Sequence, residues 1–300
     1  MKKNLLISSC TVCIFFISAG FADSPQDKGW NILLDQNLSQ WDNYLSYHHQ
    51  ASYNGHVPVN EKGDTLSALG YNNDVHHVFS VIKISGEPVL KVTGEYYGCV
   101  SSKLSYRNFR LKLKVKFGTK KWEASMNKLM DAGILYYSTG PAGADYWRAW
   151  MLSQEFQIME GHFGDYWNIA NSAIDIRAFL PEGTMPAAAA NDQPFFAVGT
   201  GTNHTGYCMR TADYSTPGNG WTGLELVCYE GKSLHIVNGH VVMVLSGSRY
   251  NENGIDKPLV EGKIQLQSEG CEVYYKDIKI KKIDEMPAEF LHYFIIEKKP

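Results

Sequence analysis

The 300-residue chain lacks any run of about 20 consecutive apolar residues, the length a membrane-spanning helix needs, so no membrane span is expected. It also lacks a basic excess. Lys and Arg number 28 against 31 Asp and Glu, a formal charge of −3, which leaves no electrostatic footprint for nucleic acid. Cysteine is sparse: Cys10 and Cys13 fall in the N-terminal apolar run, leaving Cys99, Cys208, Cys228 and Cys271. None of those four has a C-x-x-C spacing, which disfavours a zinc site; structural disulfides and buried free thiols both stay open. Finally, no helical periodicity longer than about two turns occurs after the N-terminal run.

Lys2 and Lys3 precede an apolar run from Leu5 to Ile17, and Gly20-Phe21-Ala22 places small residues at the −3 and −1 positions. This is the pattern of a cleavable signal peptide ending at Ala22, so the expected location is periplasmic or secreted. Loss of the two lysines would take the net charge to about −5.

Beyond Ala22 the chain is a series of short strand signals separated by turn residues. Val89–Gly94 and Tyr97–Lys103 read as neighbouring strands. From Phe109 to Phe117 apolar residues alternate strictly with Arg110, Lys112, Lys114 and Lys116, a half-buried strand with a solvated basic face. Further strands are read at 132–137, 155–159, 173–176, 224–229, 263–267 and 273–280, and Asn238-Gly239 marks a two-residue hairpin between 233–237 and 241–246. The expected fold is all-β, a sandwich or barrel, with a length that suits two large antiparallel sheets in one domain over 23–300. The Pro-, Ala- and Gly-rich stretch 179–220 reads as a long loop insertion folding over one end, and the tail 281–300 as a surface-docked segment.

The chemistry concentrates in Gln154-Glu-Phe-Gln-Ile-Met-Glu160. A regular strand would send Glu155 and Glu160 to opposite faces, whereas one bulge near Met159 would place Glu155, Gln157 and Glu160 together over a groove. Two neighbouring carboxylates can divide acid and base roles on a glycosidic bond. Tyr146, Trp147, Trp150, Phe163, Tyr166 and Trp167 surround the motif and could stack on the C–H faces of sugar rings, while His162, at a turn after Gly161, could reach the cleft. Each aromatic taken singly has core packing as its blander reading.

The sequence resembles the 3-keto-disaccharide hydrolase family, which implies an all-β, concanavalin-A-like jelly-roll sandwich of two large antiparallel sheets. The resemblance runs from Gly29-Trp-Asn-Ile-Leu-Leu-Asp35 and Leu38-Ser-Gln-Trp41, through Asn108-Phe-Arg-Leu, Asp131-Ala-Gly-Ile-Leu-Tyr136 and Glu155-Phe-Gln-Ile-Met-Glu160-Gly161. It ends with Gly262-Lys-Ile-Gln-Leu-Gln267, Glu272-Val273 and Asp277-Ile-Lys-Ile280. Ala132 stands where the family commonly has serine. The E-x-Q-x-x-E run is also similar to the E-x-D-x-x-E motif of laminarinase-type glycosidases, with Gln157 in place of the aspartate.

The resemblance implies cleavage of glycosides whose sugar carries a ketone at C3, by elimination or hydrolysis. Glu155, Glu160 and His162 are the implied base and acid. Lys103, Arg148, Trp150, Gln157, Trp167, Gln267 and Glu269 are the candidates for holding the sugar. No cofactor is required by this reading; a divalent metal held by the site oxygens and His162 stays open, as does the oligomeric state. Two other readings compete: a non-catalytic, lectin-like carbohydrate-binding module, and a retaining β-glucan hydrolase.

Overall fold

The computed structural model describes residues 29–50, 56–144, 149–182, 186–204 and 206–295. The N-terminal segment read above as a signal peptide, Tyr146, Trp147 and Arg148 therefore lie outside the described residues. Strands are numbered in chain order. One sheet runs through β4 (Phe79–Ile84), β5 (Glu87–Val92), β20 (Cys271–Lys282), β7 (Phe109–Lys121) and β15 (Thr222–Tyr229). It continues through β16 (Lys232–Val237), β17 (His240–Glu252), β11 (Ser172–Phe179) and β13 (Phe195–Gly199), with β1 (Asn31–Ile32) beside β20 and β18 (Ile255–Pro258) beside β17. The other sheet runs through β3 (Gly70–Tyr71), β2 (Trp41–His48), β6 (Tyr96–Ser102), β19 (Lys263–Ser268) and β8 (Asp131–Thr139). Then come β9 (Leu152–Met159), β10 (Tyr166–Ile169), β14 (Tyr207–Met209) and β12 (Ala187–Ala189). All these pairings are antiparallel except β12 with β14, and β12 also pairs with the end of β11, joining the sheets at one edge. The fold is the all-β sandwich that the strand periodicity calls for.

The core lies between the two sheets and is built by alternation. Phe109, Leu111, Leu113, Val115 and Phe117 of β7 meet Ala132, Ile134 and Tyr136 of β8 and Phe156 and Ile158 of β9 in one buried cluster. Burying a side chain the size of Phe156 or Ile158 is worth roughly 1.5–3 kcal/mol, and slipping β9 by one residue would forfeit both together. The opposite, basic face of β7 is not bare: Arg110 and Lys112 pair with Glu225, and Lys114 with Asp277.

Two expectations from the sequence are overturned by the strand order. The strands β5 and β6 are consecutive but belong to different sheets, because the chain crosses over at Gly94. Gly94 has φ 82°, and a Cβ there would sit 2.0 Å from the Cys271 carbonyl oxygen, so only glycine allows the crossing. The stretch 179–220 is not a plain loop: it supplies β12, β13 and β14, which extend both sheets past β10 and β11. The tail lies on the outer face of the first sheet, where Ile283, Phe290, Tyr293 and Phe294 pack against a cluster including Val227, Leu234 and Ile236. Arg177 donates to the Tyr293 and Ile295 carbonyls and fixes it there. All four described cysteines are free and buried, and burial pushes their thiols up, Cys99 to about 12.

Candidate functional site

The outer face of the second sheet carries a groove. The alternation that buries Phe156 and Ile158 necessarily turns Glu155, Gln157 and Met159 outward, and on β8 it turns Asp131, Gly133 and Leu135 to the same side. Pairing is one-to-one through Leu135↔Glu155, Gly133↔Gln157 and Asp131↔Met159. Across β8, Gln265 of β19 faces Leu135, which puts Gln267 level with Gly133. On the far side of β9, Trp167 of β10 faces Glu155. These side chains line a cavity of about 520 Å³ with Asp131, Glu155, Gln157, Gln267 and Glu269 among its walls and Trp150 and Trp167 at its sides.

Glu155 and Gln157 are only 4% and 5% exposed, unusual for polar groups on an outer sheet face. Gly133 makes room for them: a Cβ there would lie 2.2 Å from Glu155 Oε1 and 2.4 Å from Gln267 Oε1, so those two oxygens sit side by side over the glycine. Burial pushes the Asp131 carboxyl up to about 7, opposed in part by the Ala132 backbone N–H, the Lys128 charge and a hydrogen bond from Gln157. Asp131 Oδ1, Gln157 Oε1 and Gln267 Oε1 are buried with no partner among the described residues. Leaving such an acceptor unsatisfied costs about 1–3 kcal/mol, so three over one groove mark a surface shaped to receive hydrogen-bond donors.

The bulge expected near Met159 does not form. The β8–β9 pairing stays regular to its Met159 end, and its irregularity lies at the other end, between Tyr136 and Thr139. Glu160 therefore begins the following turn, where its carboxylate accepts from the Met130 N–H at 2.8 Å. It lines a separate cavity of about 200 Å³ with Lys116 and Phe163. Glu155 and Glu160 are not brought together over the groove.

His162 is likewise directed elsewhere: its Nδ1 lies 3.1 Å from Asp165 Oδ2 and 3.1 Å from Arg210 Nη1. Asp165, fully buried, also accepts from the Tyr207 hydroxyl and the Arg210 N–H, so this cluster ties the 160–165 turn to β14. Lys103 donates to the Ser39 carbonyl at 2.7 Å and is not among the groove residues. Of the described aromatics near the motif, Phe163 and Tyr166 belong to the core, Trp150 is buried in the groove wall, and Trp167 is 41% exposed. The Trp167 ring rests on Tyr207, with ring centroids 4.6 Å apart. Among the described residues no group of three or more His, Cys, Asp and Glu is placed to hold a metal ion.

Sequence reasoning missed Asp131. Its signal was available, since Asp131, Gly133 and Leu135 alternate with the apolar Ala132, Ile134 and Tyr136, but the partner strand and register were not.

The family model of the 3-keto-alpha-glucoside-1,2-lyase-like domain matches residues 29–281. The chain belongs to that family. No curated protein matches. Among solved structures, a "putative glycosyl hydrolase" from Parabacteroides distasonis ATCC 8503 is 16% identical, with 88% of this chain and 99% of that one covered and a TM-score of 0.44. A structure reported under endo-acting O-glycanases of the human gut microbiota is 13% identical, covering 85% and 95%, at 0.43. Alginate lyase AlyC3 is 12% identical, covering 87% and 99%, at 0.39.

Proposed function

We propose that the groove binds a 3-keto-glucoside and cleaves it by elimination. A ketone at C3 acidifies the C2 proton. A carboxylate removes that proton, the C2–H electrons form the C1=C2 double bond, and the glycosidic oxygen leaves C1 with a proton from a general acid. The products are a 2-hydroxy-3-keto-1,2-ene and the free alcohol, and later addition of water to the ene would complete a net hydrolysis. Glu155, beneath the sugar and next to Trp167, is the base. Asp131, held near neutrality by burial, is the acid at the glycosidic oxygen. Gln157 and Gln267 accept sugar hydroxyls, and Trp167 offers its face to the ring's C–H surface.

The single observation that carries this reading is the convergence of Asp131, Glu155 and Glu269 with three orphaned acceptors on one groove beside an exposed tryptophan. A retaining hydrolysis through Glu155 and Glu160 is not supported, because Glu160 lines a different cavity. Export, read from Lys2 to Ala22, belongs to the same proposal.

The test is turnover of methyl 3-keto-α-glucoside by the purified protein, compared with Glu155→Gln and Asp131→Asn. Both variants should fold and lose at least 100-fold in kcat, within the roughly 10²–10⁴ range for general acid–base groups. Binding of the sugar without any turnover would leave the lectin-like alternative standing, and full activity in both variants would overturn the assignment.

A further inference from the structure

The basic face of β7 looks out from the first sheet, on the opposite side of the sandwich from the groove. Strand register gathers cations there in successive rungs. Lys116 pairs with Tyr274, Lys114 with Gly223 and Lys276, and Lys112 with Glu225 and Lys279; Lys279 pairs in turn with Ile32. Like charges directly opposite in a ladder are destabilising, yet Lys114–Lys276 and Lys112–Lys279 are both such pairs.

Two tryptophans hold these lysines. Lys112 and Lys279 lie over the Trp30 ring, 5.5 and 5.6 Å from its centroid, and Lys116 and Lys276 over Trp221, each at 5.1 Å. A ring attracts an ammonium through its quadrupole but brings no opposite charge, so the positive potential remains. Carboxylates offset only part of it. Lys112 pairs with Glu225, Lys114 with Asp277 and Lys276 with Glu87, while Arg110 takes up Glu225 more closely, at 2.6 Å, together with Glu289. Five lysines and Arg110 thus meet four carboxylates, and the face is positive on a chain whose net charge is −3.

A cavity of about 570 Å³ opens in this face. A β-bulge makes the opening: β20 takes three steps from Lys276 to Lys279 while β7 takes two from Lys114 to Lys112. Pairing of β5 with β20 stops at Tyr275 and that of β1 starts at Lys279, which leaves a gap between Pro88 and Ile32. Gly223 keeps its rung free of a side chain, and a Cβ there would meet only Asn238 Oδ1, at 3.3 Å. Ile32 lines the cavity and is 66% exposed.

We infer that this face is a second binding site, separate from the groove, and that it holds an acidic polysaccharide. The volume lies within the roughly 300–1,000 Å³ of organic-ligand pockets, and Ile32 and Pro88 offer apolar contact to the C–H face of a sugar ring. A small inorganic anion would use neither. From Lys112 to Lys116 the cations extend roughly 13 Å along β7, at 3.3–3.4 Å per residue, and so meet charges spaced along a chain. A polymer bound here leaves the groove open on the opposite face and tethers the protein to it. The inference is independent of the chemistry assigned to the groove.

The experiment titrates the purified protein calorimetrically with polygalacturonate and with dextran sulfate at low ionic strength. Neutral dextran is the control, and phosphatidylglycerol vesicles are the competing anionic surface. The wild type should bind the acidic polymers and not dextran, more weakly as salt is raised. Lys112→Gln/Lys279→Gln and Lys116→Gln/Lys276→Gln should each weaken binding at least about tenfold, whereas Lys62→Gln/Lys257→Gln, which removes the same charge elsewhere, should change it less than about twofold. Trp221→Ala keeps every charge but frees Lys116 and Lys276, and should weaken binding about threefold or more. Circular dichroism checks each fold; if a double variant does not fold, Lys114→Gln, at a side chain 50% exposed, replaces it. No binding to either acidic polymer, equal binding to dextran, or an equal loss in all the double variants overturns the site. Binding to the vesicles alone, lost in the Lys112 and Lys116 variants, overturns the polysaccharide and assigns the face to a membrane surface.

Discussion

Gly133→Ala is the sharpest local perturbation of the groove. The glycine is buried in mid-strand, and its φ is outside the left-handed region, so alanine suits its backbone. On stability alone the substitution should help slightly, because a glycine in a strand interior costs roughly 0.5–1 kcal/mol relative to alanine. The added methyl group, however, would lie 2.2 Å from Glu155 Oε1 and 2.4 Å from Gln267 Oε1, where ordinary contact begins at 3.4 Å. Both side chains must retreat by about 1 Å or more, and a displacement of that size can cost on the order of 10²-fold in rate. The variant should therefore melt within a few degrees of the wild type while kcat/KM on methyl 3-keto-α-glucoside falls about 100-fold. Unimpaired activity in a folded Gly133→Ala protein would show that the oxygens over Gly133 take no part.

Other groups should report through pH and reactivity. Asp131 carries its proton in the folded state up to about pH 7, so kcat should decline as pH rises through about 7; a profile flat from about pH 6 to 9 would exclude it as the acid. Because its folded pKa is raised, the native state holds the extra proton between the ordinary value of 3.8 and about 7, and stability is lost as pH climbs through that window. Asp131→Asn should accordingly melt higher than the wild type at about pH 8 while being inactive, and a lower melting temperature would contradict the burial argument. His235 shows the opposite sign: burial lowers it to about 3, so its contribution is present above pH 6.5 and is lost as pH falls below that, by up to about 1.4 kcal/mol per unit. His235→Phe should flatten the acid limb of a melting-temperature titration between about pH 6.5 and 4; an unchanged slope would assign that limb to other groups. Finally, the four described thiols should resist a thiol reagent such as DTNB in the native protein and react after unfolding in guanidinium; rapid native labelling would contradict their burial.

Where alternation is strict, the fold was legible. Phe109 to Phe117 declared both its period and its buried face, and Asn238-Gly239 takes the positive φ values, 47° and 85°, that its hairpin requires. What could not be read was which strand lies beside which. Val89–Gly94 and Tyr97–Lys103 read as neighbouring strands, and only the Gly94 crossing separates them. The run Ala187 to Ala190 has no strand propensity of its own, yet Ala187–Ala189 becomes a strand because β14 and the end of β11 offer it partners.

The site divides the same way. Glu155 and Gln157 follow from period two along β9, and Gln267 and Glu269 line the same groove. Glu160 failed because placing it there required a bulge that no residue in the motif dictates, and a regular pleat costs less. Asp131 was hidden by register: 24 positions separate it from Glu155 in sequence, and only the β8–β9 pairing makes them neighbours on one face.

Proton removal at C2 is the step on which the elimination reading stands. Methyl 3-keto-α-glucoside deuterated at C2 should be cleaved with a primary isotope effect, or the unreacted substrate should lose its C2 deuterium to water, and Glu155→Gln should abolish both signals. Cleavage that proceeds with neither an isotope effect nor exchange at C2 would mean the glycosidic bond breaks by another route, and the elimination chemistry assigned to this groove would be wrong.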